Sequence, residues 1–242
     1  MKVVKKTVPD NSRLVSAAVE DYVKAIYKLQ AEEGAVSTTR LAKKIGASPA
    51  AATKMIKQLS ENHLIDYTPY YGVRLTTSGE KIALEIIRHH RLLELYLHQA
   101  LGYSWDEVDA EAEKLEHHIS EEFEDRIDKM LNYPTLDPHG DPIPTRDGRI
   151  EAHRGSSLAE ANPGEHVVIL RVKDSNPEAL RLLARLGLIL NAEIEVLDAQ
   201  PMNGPLTVRV GTATQTMGRE LAAHVFVGHL NIEEGATHFV CS

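Results

Sequence analysis

Hydrophobic positions in the first part of the chain recur at the spacing of short helices. In "VEDYVKAIYKLQ", residues 19–30, apolar side chains fall mostly three or four positions apart, which predicts an amphipathic helix that ends near Gly34. Residues 37–65 predict two further short helices joined by a tight turn. The expected boundaries are Ser37 and Gly46 for the first, and Ser48 with Pro49 for the start of the second. The second should bury Ala52, Met55, Ile56 and Leu59.

The pattern then changes to that of a hairpin followed by longer helices. "LIDYTPYYGVRLTTSGEK", residues 64–81, predicts two strands that turn near Tyr71 and Gly72. A long helix should follow and run to about Ala100, with more helix at about residues 105–131. The order of two helices, a glycine turn and a hairpin is typical of a winged helix-turn-helix.

Pro and Gly interrupt residues 132–150, "NYPTLDPHGDPIPTRDGRI", which we expect to form an ordered loop or linker. Beyond Gly155, short apolar runs predict a small barrel of about 75 residues. The expected strands are residues 166–173, 192–199, 206–212 and 224–230, with a helix at 177–188 between the first two.

Charge is distributed unevenly along the 242 residues, whose net charge is −8. Residues 1–88 hold 14 Lys/Arg and 9 Asp/Glu, a net charge of +5, whereas residues 89–155 hold 7 and 16, a net charge of −9. The basic head suits a polyanion and the acidic middle suits a cation. With one cysteine, Cys241, and neither an 18-residue apolar run nor a signal-peptide core, we expect a cytoplasmic protein without a membrane partner.

In the basic head, the second short helix is expected to enter the major groove of double-stranded DNA. Ser48, Thr53, Lys54 and Lys57 should point outward from it. Arg40, Lys43 and Lys44, on or near the preceding helix, are candidates for phosphate contacts, and Tyr70, Tyr71 and Arg74 for the wing. The alternative is an ordinary helical hairpin with a solvated basic face.

In the acidic middle, "EAEKLEHHIS" at residues 111–120 concentrates possible metal ligands. Glu113, Glu116 and His117 are spaced i, i+3 and i+4, which places them on one helical face and suits a divalent metal. His90 and Glu94 form a second i, i+4 pair. The alternative for either set is a solvated acidic helix without a metal.

Together these segments resemble the diphtheria-toxin-repressor family of iron- and manganese-dependent transcriptional regulators. The resembling blocks are residues 20–29, 63–83, 89–97, 111–120 and 138–144. "LLARLGLILNAEIEVL", residues 182–197, resembles the SH3-like domain of three-domain members and of ferrous-iron transport proteins.

The resemblance implies a mainly α fold with β structure and three domains. These are a winged helix-turn-helix domain at residues 1–84, a helical metal-binding and dimerisation domain at 85–152, and a small SH3-like β-barrel at 153–242. It also implies a homodimer that binds operator DNA when metal-loaded, most often as a repressor of metal uptake, with neither enzymatic activity nor an organic cofactor.

The resemblance further implies two metal sites in each subunit. The primary site would comprise Asp21, Glu113, Glu116 and His117. The ancillary site would comprise His90, Glu94, Asp137 and His139, with Asp174 or Glu178 as conceivable additions from the SH3-like domain.

Ligand chemistry favours Mn²⁺ as the activating ion, with Fe²⁺ as the alternative. Iron-type members have methionine and cysteine where this chain has the oxygen donors Asp21 and Glu113. Lys24 stands where two-domain manganese members have a further glutamate, so we expect separate primary and ancillary sites instead of a coupled pair at the primary site. His118 points away from His117 and is expected to play a structural or supporting role.

Two rival functions remain open at this point. A metallohydrolase would need an open coordination position and a positioned base or substrate pocket, and the sequence has no such motif. A winged-helix regulator of an organic ligand would leave the acidic cluster merely solvated. His238 and Cys241, three residues apart near the C-terminus, are weak evidence for a further site.

Overall fold

A computed structural model describes residues 15–68, 71–152, 155–174, 176–233 and 236–239. The chain divides into two compact units, Met1–Ile87 and Arg88–Ser242. A single helix, α4 (Thr77–Leu101), contributes residues to both. No helix within the described ranges is long and apolar enough to cross a membrane.

The first unit contains three helices and a hairpin in the predicted order. They are α1 (Ala17–Glu33), α2 (Thr38–Ile45), α3 (Pro49–Glu61), β1 (Ile65–Thr68) and β2 (Gly72–Leu75). The predicted caps are confirmed: Ser37 Oγ accepts from the Arg40 amide, Ser48 Oγ accepts from the Ala51 amide, and Gly46 closes α2 in the left-handed conformation. The caps fix the residues at which α2 ends and α3 begins, and therefore the direction in which α3 leaves the turn.

The core of this unit forms where α1, α2 and α3 pack on the hairpin. Ala52, Ile56 and Leu59 of α3 are buried as predicted, whereas Met55 is only partly buried at the edge of the core. At the start of β2, Gly72 has φ +100°, and a Cβ there would lie 2.6 Å from the Val36 carbonyl oxygen. Only glycine therefore fits this end of the hairpin.

The helical part of the second unit combines the end of α4 with α5 (Val108–Leu115) and α6 (Glu121–Met130). The helices expected at about residues 105–131 are thus these two, separated by a turn and an N-cap at Ser120. Apolar residues of α4 and α5, including Leu92, Leu93, Val108 and Ala112, are buried together. This packing brings the polar positions between those residues on the two helices close to one another.

Residues 132–150 contain neither helix nor strand, as predicted. The middle of the segment is nevertheless packed inside the protein. Residues 137–144 are all buried. Arg88 in α4 donates to the Pro144 carbonyl oxygen at 2.9 Å, and Arg91 donates to that of Pro142. Hydrogen bonds to backbone carbonyl oxygens, together with ion pairs from Arg91 to Asp137 and Asp141, hold the loop against α4.

The rest of the second unit is an antiparallel β domain with a buried apolar core. Its strands are β3 (Ser156–Ser157), β4 (His166–Val172), β5 (Glu193–Ala199), β6 (Leu206–Val210), β7 (Ala213–Met217), β8 (Val225–Glu233) and β9 (Ala236–Phe239). They follow the order β3-β8-β4-β5-β6-β7, with β9 paired to β8. Its helices are α7 (Pro177–Arg185), α8 (Arg219–Ala222) and a short 3-10 turn (Leu158–Glu160).

All four predicted strands of this domain are confirmed as β4, β5, β6 and β8, but β3, β7 and β9 were missed. The longest of the missed strands is β7. Its sequence, "ATQTM", is polar, and only Met217 is buried. Backbone pairing with the neighbouring strand β6 holds it in place, and periodicity cannot reveal that kind of support.

Candidate metal centre and nucleic-acid interface

The exposed face of α3 carries the side chains predicted for DNA. Thr53, Lys54 and Lys57 are exposed there, opposite the buried Ile56 and Leu59. With Pro49 and Ala50 they line a shallow open depression. The Thr53 hydroxyl donates to the Pro49 carbonyl oxygen at 2.8 Å, so it is partly used within the helix. The two lysines thus supply the charge of this face.

The remaining predicted DNA contacts belong to the same unit. Ser48, Arg40, Lys43, Lys44, Tyr71 and Arg74 are all exposed, whereas Tyr70 lies outside the described residues. Arg40 lies 3.7 Å from Glu32, an exposed pair that contributes little to stability. The Tyr71 side chain is 79% exposed at the tip of the hairpin. The helices and the hairpin therefore present exposed polar and aromatic groups.

Helix α5 ends before two of the three ligands that the sequence placed on it. It ends at Leu115, and Glu116 is its C-cap residue, although its φ of −55° and ψ of −32° continue the helical path. Glu113 is exposed, Glu116 is fully buried and His117 is half-buried. His117 Nε2 lies 3.4 Å from Glu116 Oε1. Because the backbone stays helical through Glu116, these side chains still share a neighbourhood.

His90 of α4 joins this neighbourhood. Its Nδ1 lies 2.5 Å from Glu116 Oε2 and 3.7 Å from Glu113 Oε2, and donor atoms of the three residues lie within 4.8 Å of one another. The sequence assigned His90 to a different site from Glu113 and Glu116. In the folded chain, its imidazole contacts both carboxylates.

The opposite nitrogen of the His90 ring, Nε2, lies close to two further carboxylates. His90 Nε2 lies 3.5 Å from Glu94 Oε1 and 3.3 Å from Asp109 Oδ1. Burial alone would lower the pKa of His90, but the Glu94 charge and hydrogen bonds with Asp109 and Glu116 outweigh it and raise the pKa well above its usual value. Asp109 was missed, although it lies four residues before Glu113 on α5, and that i, i+4 spacing was a usable signal.

A second buried group contains Glu94, Asp137 and His139, whose donor atoms also lie within 4.8 Å of one another. Glu94 and His139 are fully buried, and Glu94 Oε1 lies 3.7 Å from His139 Nδ1. Asp137 Oδ1 accepts from the backbone amides of His139 and Asp141 at 2.8 and 2.9 Å. The structure thus brings together three of the four predicted ancillary residues, while His90 lies in the neighbouring group with Glu94 and Asp109.

The His139 ring is oriented by the stretch that joins α4 and α5. Its Nε2 lies 2.7 Å from the carbonyl oxygen of Trp105, and the indole stacks on the imidazole with a centroid distance of 5.9 Å. A carbonyl oxygen can only accept, so Nε2 carries the proton, and in the neutral ring Nδ1 presents its lone pair towards Glu94. A tautomer fixed in this way is typical of metal-binding histidines.

The electrostatics of the buried group favour protons when no cation is bound. Burial, together with the Glu94 and Asp141 charges, raises the pKa of Asp137 to about 8, against the opposing effect of Arg91. Burial lowers the pKa of His139, but the Glu94 and Asp137 charges outweigh it and raise the pKa. Asp174 acts on His139 in the same direction. A cation would replace those protons.

The loop that carries Asp137 and His139 is fixed from the β domain as well. Arg171 of β4 lies 3.4 Å from Asp141 and 3.8 Å above the Phe226 ring. The Val172 amide donates to the His139 carbonyl oxygen at 2.8 Å. A Cβ at Gly140, where φ is +88°, would lie 2.2 Å from the Leu170 carbonyl oxygen. Glycine therefore permits the close backbone approach that positions His139.

The remaining residues that the sequence singled out belong to other elements of the fold. Asp21 is on α1 in the first unit, so its membership of a site with α5 stays a prediction. Glu178 is exposed in the first turn of α7, and His118 is exposed in the turn after α5. Cys241 lies outside the described residues.

Comparison with known proteins matches three family models along the chain. They are "Iron dependent repressor, N-terminal DNA binding domain" over residues 14–73, "Iron dependent repressor, metal binding and dimerisation domain" over 76–145, and "FeoA domain" over 156–229. The first model covers the exposed lysine face of α3. The second covers every donor of the two groups around Glu94.

Relatives and solved structures match over most of the chain. The iron-dependent repressor IdeR of Mycobacterium bovis is 30% identical over 223 residues, covering 86% of this chain and 95% of its own. The regulator MntR of Bacillus subtilis is 31% identical over 120 residues, covering 50% and 84%. A manganese-dependent transcriptional repressor in complex with manganese has a TM-score of 0.80 and 38% identity, covering 88% and 100%.

ScaR with bound Cd²⁺ has a TM-score of 0.75 and 31% identity, covering 88% and 99%. The resemblance in the sequence, the three-part architecture and a full-length relative at 30% identity therefore agree. The chain belongs to the iron-dependent repressor family of metal-dependent transcriptional regulators, in the form that carries a C-terminal FeoA domain.

Proposed function

We propose that this protein is a homodimeric repressor that binds operator DNA when loaded with Mn²⁺, with Fe²⁺ as the alternative activator. One observation supports this most strongly: both ring nitrogens of His90, on α4, lie close to carboxylates of the α5 region. The same chain also carries the DNA-binding domain of the family. In this proposal the acidic middle of the chain binds the metal and the basic head binds the DNA. No enzymatic step is assigned to any residue.

The proposed primary site comprises Asp21, Glu113, Glu116 and His117. Three of these residues lie at the end of α5, and Asp21 is the proposed donor from α1. Three carboxylates close together repel one another unless a cation neutralises them. Metal would therefore favour the arrangement in which α1 and α5 share an ion, and by linkage metal and operator would strengthen each other's binding equally.

The proposed ancillary site uses His90, Glu94, Asp137 and His139. The donors fit a metal, because Glu94 is fully buried and neither of its oxygens has a hydrogen-bond partner among the described residues. Leaving a buried carboxylate unsatisfied is costly unless a cation or a proton occupies the space. A bound ion would supply positive charge at this point, and the loop residues would hold it against α4.

The preference for Mn²⁺ rests on donor chemistry. Within the described ranges, all clusters of potential ligands consist of carboxylates and imidazoles, without sulfur. Such donors suit Mn²⁺, whereas thiolate and thioether donors favour softer ions. Fe²⁺ still binds most such sites more tightly, so availability in the cell would contribute to selectivity. The manganese-dependent structural neighbour supports this choice.

DNA binding is assigned to the first unit. Lys54 and Lys57 on the exposed face of α3 would contact the major groove, together with Ser48 and Thr53. Arg40, Lys43, Lys44, Tyr71 and Arg74 would position the protein on the phosphates and in the adjacent groove.

Fluorescence anisotropy of a labelled operator, titrated anaerobically with Mn²⁺, Fe²⁺ and Zn²⁺, tests this function. We expect Mn²⁺ to induce binding and EDTA to reverse it. Operator binding that is insensitive to EDTA would instead support a regulator of an organic ligand. The double variant Asp21→Met, Glu113→Cys should shift the ratio of activation midpoints towards Fe²⁺, and an unchanged ratio would remove the basis for the manganese assignment.

A further inference from the structure

Glu94 lies between two sets of potential metal ligands that share no other residue. On one side are His90 Nε2 and Asp109 Oδ1, and on the other are Asp137 and His139 Nδ1. Donors bound to one ion lie roughly 3–4 Å apart when metal–ligand bonds are about 2.0–2.2 Å. In each set the donor atoms lie within 4.8 Å of one another. Each set therefore has the dimensions of a single-ion site before it tightens around the metal.

The Glu94 side chain is suited to serve both sets. It is 0% exposed, and neither of its oxygens has a hydrogen-bond partner in the described ranges. Oε1 faces both imidazoles, at 3.5 Å from His90 Nε2 and 3.7 Å from His139 Nδ1. A carboxylate has two oxygens with about four lone-pair sites, so it can bind one ion on each side.

The flanking carboxylates provide one donor for each ion. Asp137 uses Oδ1 to hold the backbone of its own loop, while Oδ2 accepts no hydrogen bond and lies 3.5 Å from Arg91 Nε. The Asp109 side chain on α5 is half exposed, so water can complete the coordination of an ion on that side. The two sets thus differ in solvent access, one open and one closed.

We propose that the ancillary site is a two-ion centre bridged by Glu94, with one Mn²⁺ on His90, Glu94 and Asp109 and a second on Glu94, Asp137 and His139. The inference rests on the proposed metal-binding function and assigns Asp109 as a ligand. Because α4, α5 and the loop of residues 132–150 each supply donors, the pair of ions would fasten all three elements together. The loop is in turn bonded to β4 of the FeoA domain.

Metal content of the full-length protein tests the proposal through two matched variants. Asp109→Asn removes a donor from the open set, and Asp137→Asn removes one from the closed set while keeping the amide oxygen that can still hold the loop. Equilibrium dialysis against Mn²⁺, followed by elemental analysis, should give three ions per wild-type subunit, the third being at the primary site. Each single variant should lose one ion and the double variant two. Asp125→Asn, on the exposed face of α6, is the control and should lose none.

The alternative outcomes separate this proposal from the proposed function. Two ions in the wild type, with each variant and the double variant losing the same single ion, would mean one ancillary ion and would overturn the bridge. A wild type that binds no Mn²⁺ at all would overturn the proposed function itself. Unchanged near-ultraviolet circular dichroism of the variants distinguishes ligand loss from unfolding.

A second readout depends on Trp105, the one tryptophan of the chain. Its ring stacks on His139, so paramagnetic Mn²⁺ in the closed set should quench its fluorescence. We expect quenching in the wild type and in Asp109→Asn, but strongly reduced quenching in Asp137→Asn. Equal loss of quenching in both variants would contradict two separately occupied sets.

Discussion

The Nδ1 atom of His90 lies 2.5 Å from the Oε2 atom of Glu116, and this contact joins the two proposed metal sites. The opposite nitrogen of the same ring faces Asp109 and Glu94. An ion bound to Nε2 would leave the proton on Nδ1, where it donates to Glu116. One imidazole thereby orients a carboxylate of the primary site while it binds metal at the ancillary site.

This relationship predicts that His90→Gln weakens metal activation at both sites. Loss of an orienting partner typically costs 10- to 100-fold in metal affinity, so the Mn²⁺ midpoint for operator binding should rise by about tenfold or more. Anisotropy titration of the operator measures it. The control is His98→Gln on the same helix, because His98 is exposed and its Nδ1 lies 2.9 Å from the Tyr103 carbonyl oxygen, away from both proposed sites. Equal midpoints for the two variants would show that His90 does not connect the sites.

The positions of the lysines predict different roles in DNA binding. Lys54 lies on the outer face of α3, so Lys54→Ala should reduce the preference for the operator over unrelated DNA. Lys44 is exposed at the end of α2, so Lys44→Ala should weaken binding to all duplexes alike and reduce the salt slope by about 1. Salt-dependent binding to specific and unrelated duplexes separates the two effects. Identical losses on both kinds of DNA for both variants would contradict this placement of α3.

The buried Glu124 predicts how stability depends on pH. It accepts from Arg88 Nε at 2.5 Å and lies 3.1 Å from His89 Nε2. Burial alone would raise the pKa of Glu124, but His89 and Arg88 outweigh it and lower the pKa below its ordinary value of 4.5. The stabilisation is therefore complete above about pH 4.5 and is lost as the pH falls through the lower pKa of the folded state.

Glu124→Gln should accordingly destabilise the second unit by roughly 1–3 kcal/mol at neutral pH, because buried Arg88 loses one charge-assisted partner and keeps Asp128. The difference from the wild type should shrink in acid, where Glu124 is protonated in both states. Urea denaturation across this pH range measures it, with Glu122→Gln, from the exposed pair with Arg126, as a control of little effect. A difference that does not change with pH would argue against the charge of Glu124 as the cause.

The sequence predicted helices and caps well where local signals determine them. Ser37, Gly46 and Ser48 act through bonds to residues three or four positions away, and such bonds are readable from spacing alone. The candidate ligands were also found, because imidazole and carboxylate pairs at helical spacing are local patterns. Whether Asp21 and α5 share an ion is still a prediction.

The grouping of the ligands could not be read from the sequence. His90 was assigned to one site and Glu116 to another, yet their side chains are in contact, because α4 and α5 pack through Leu92, Leu93 and Ala112. The spacing of Asp109 and Glu113 could have marked Asp109 as a candidate, but its contact with His90, 19 positions away on another helix, was not readable. Tertiary packing determines such pairs, and no local period encodes it.

We propose that metal bound at the end of α5 switches on operator binding, and the variants Glu116→Ala and His117→Ala test this switch. Operator anisotropy is titrated with Mn²⁺ for the wild type and both variants, while size-exclusion chromatography and circular dichroism check that dimer and fold are retained. We predict that the folded variants fail to bind the operator at Mn²⁺ concentrations that saturate the wild type. Folded variants that bind it with the wild-type Mn²⁺ midpoint would show that Glu116 and His117 do not form the activating metal site.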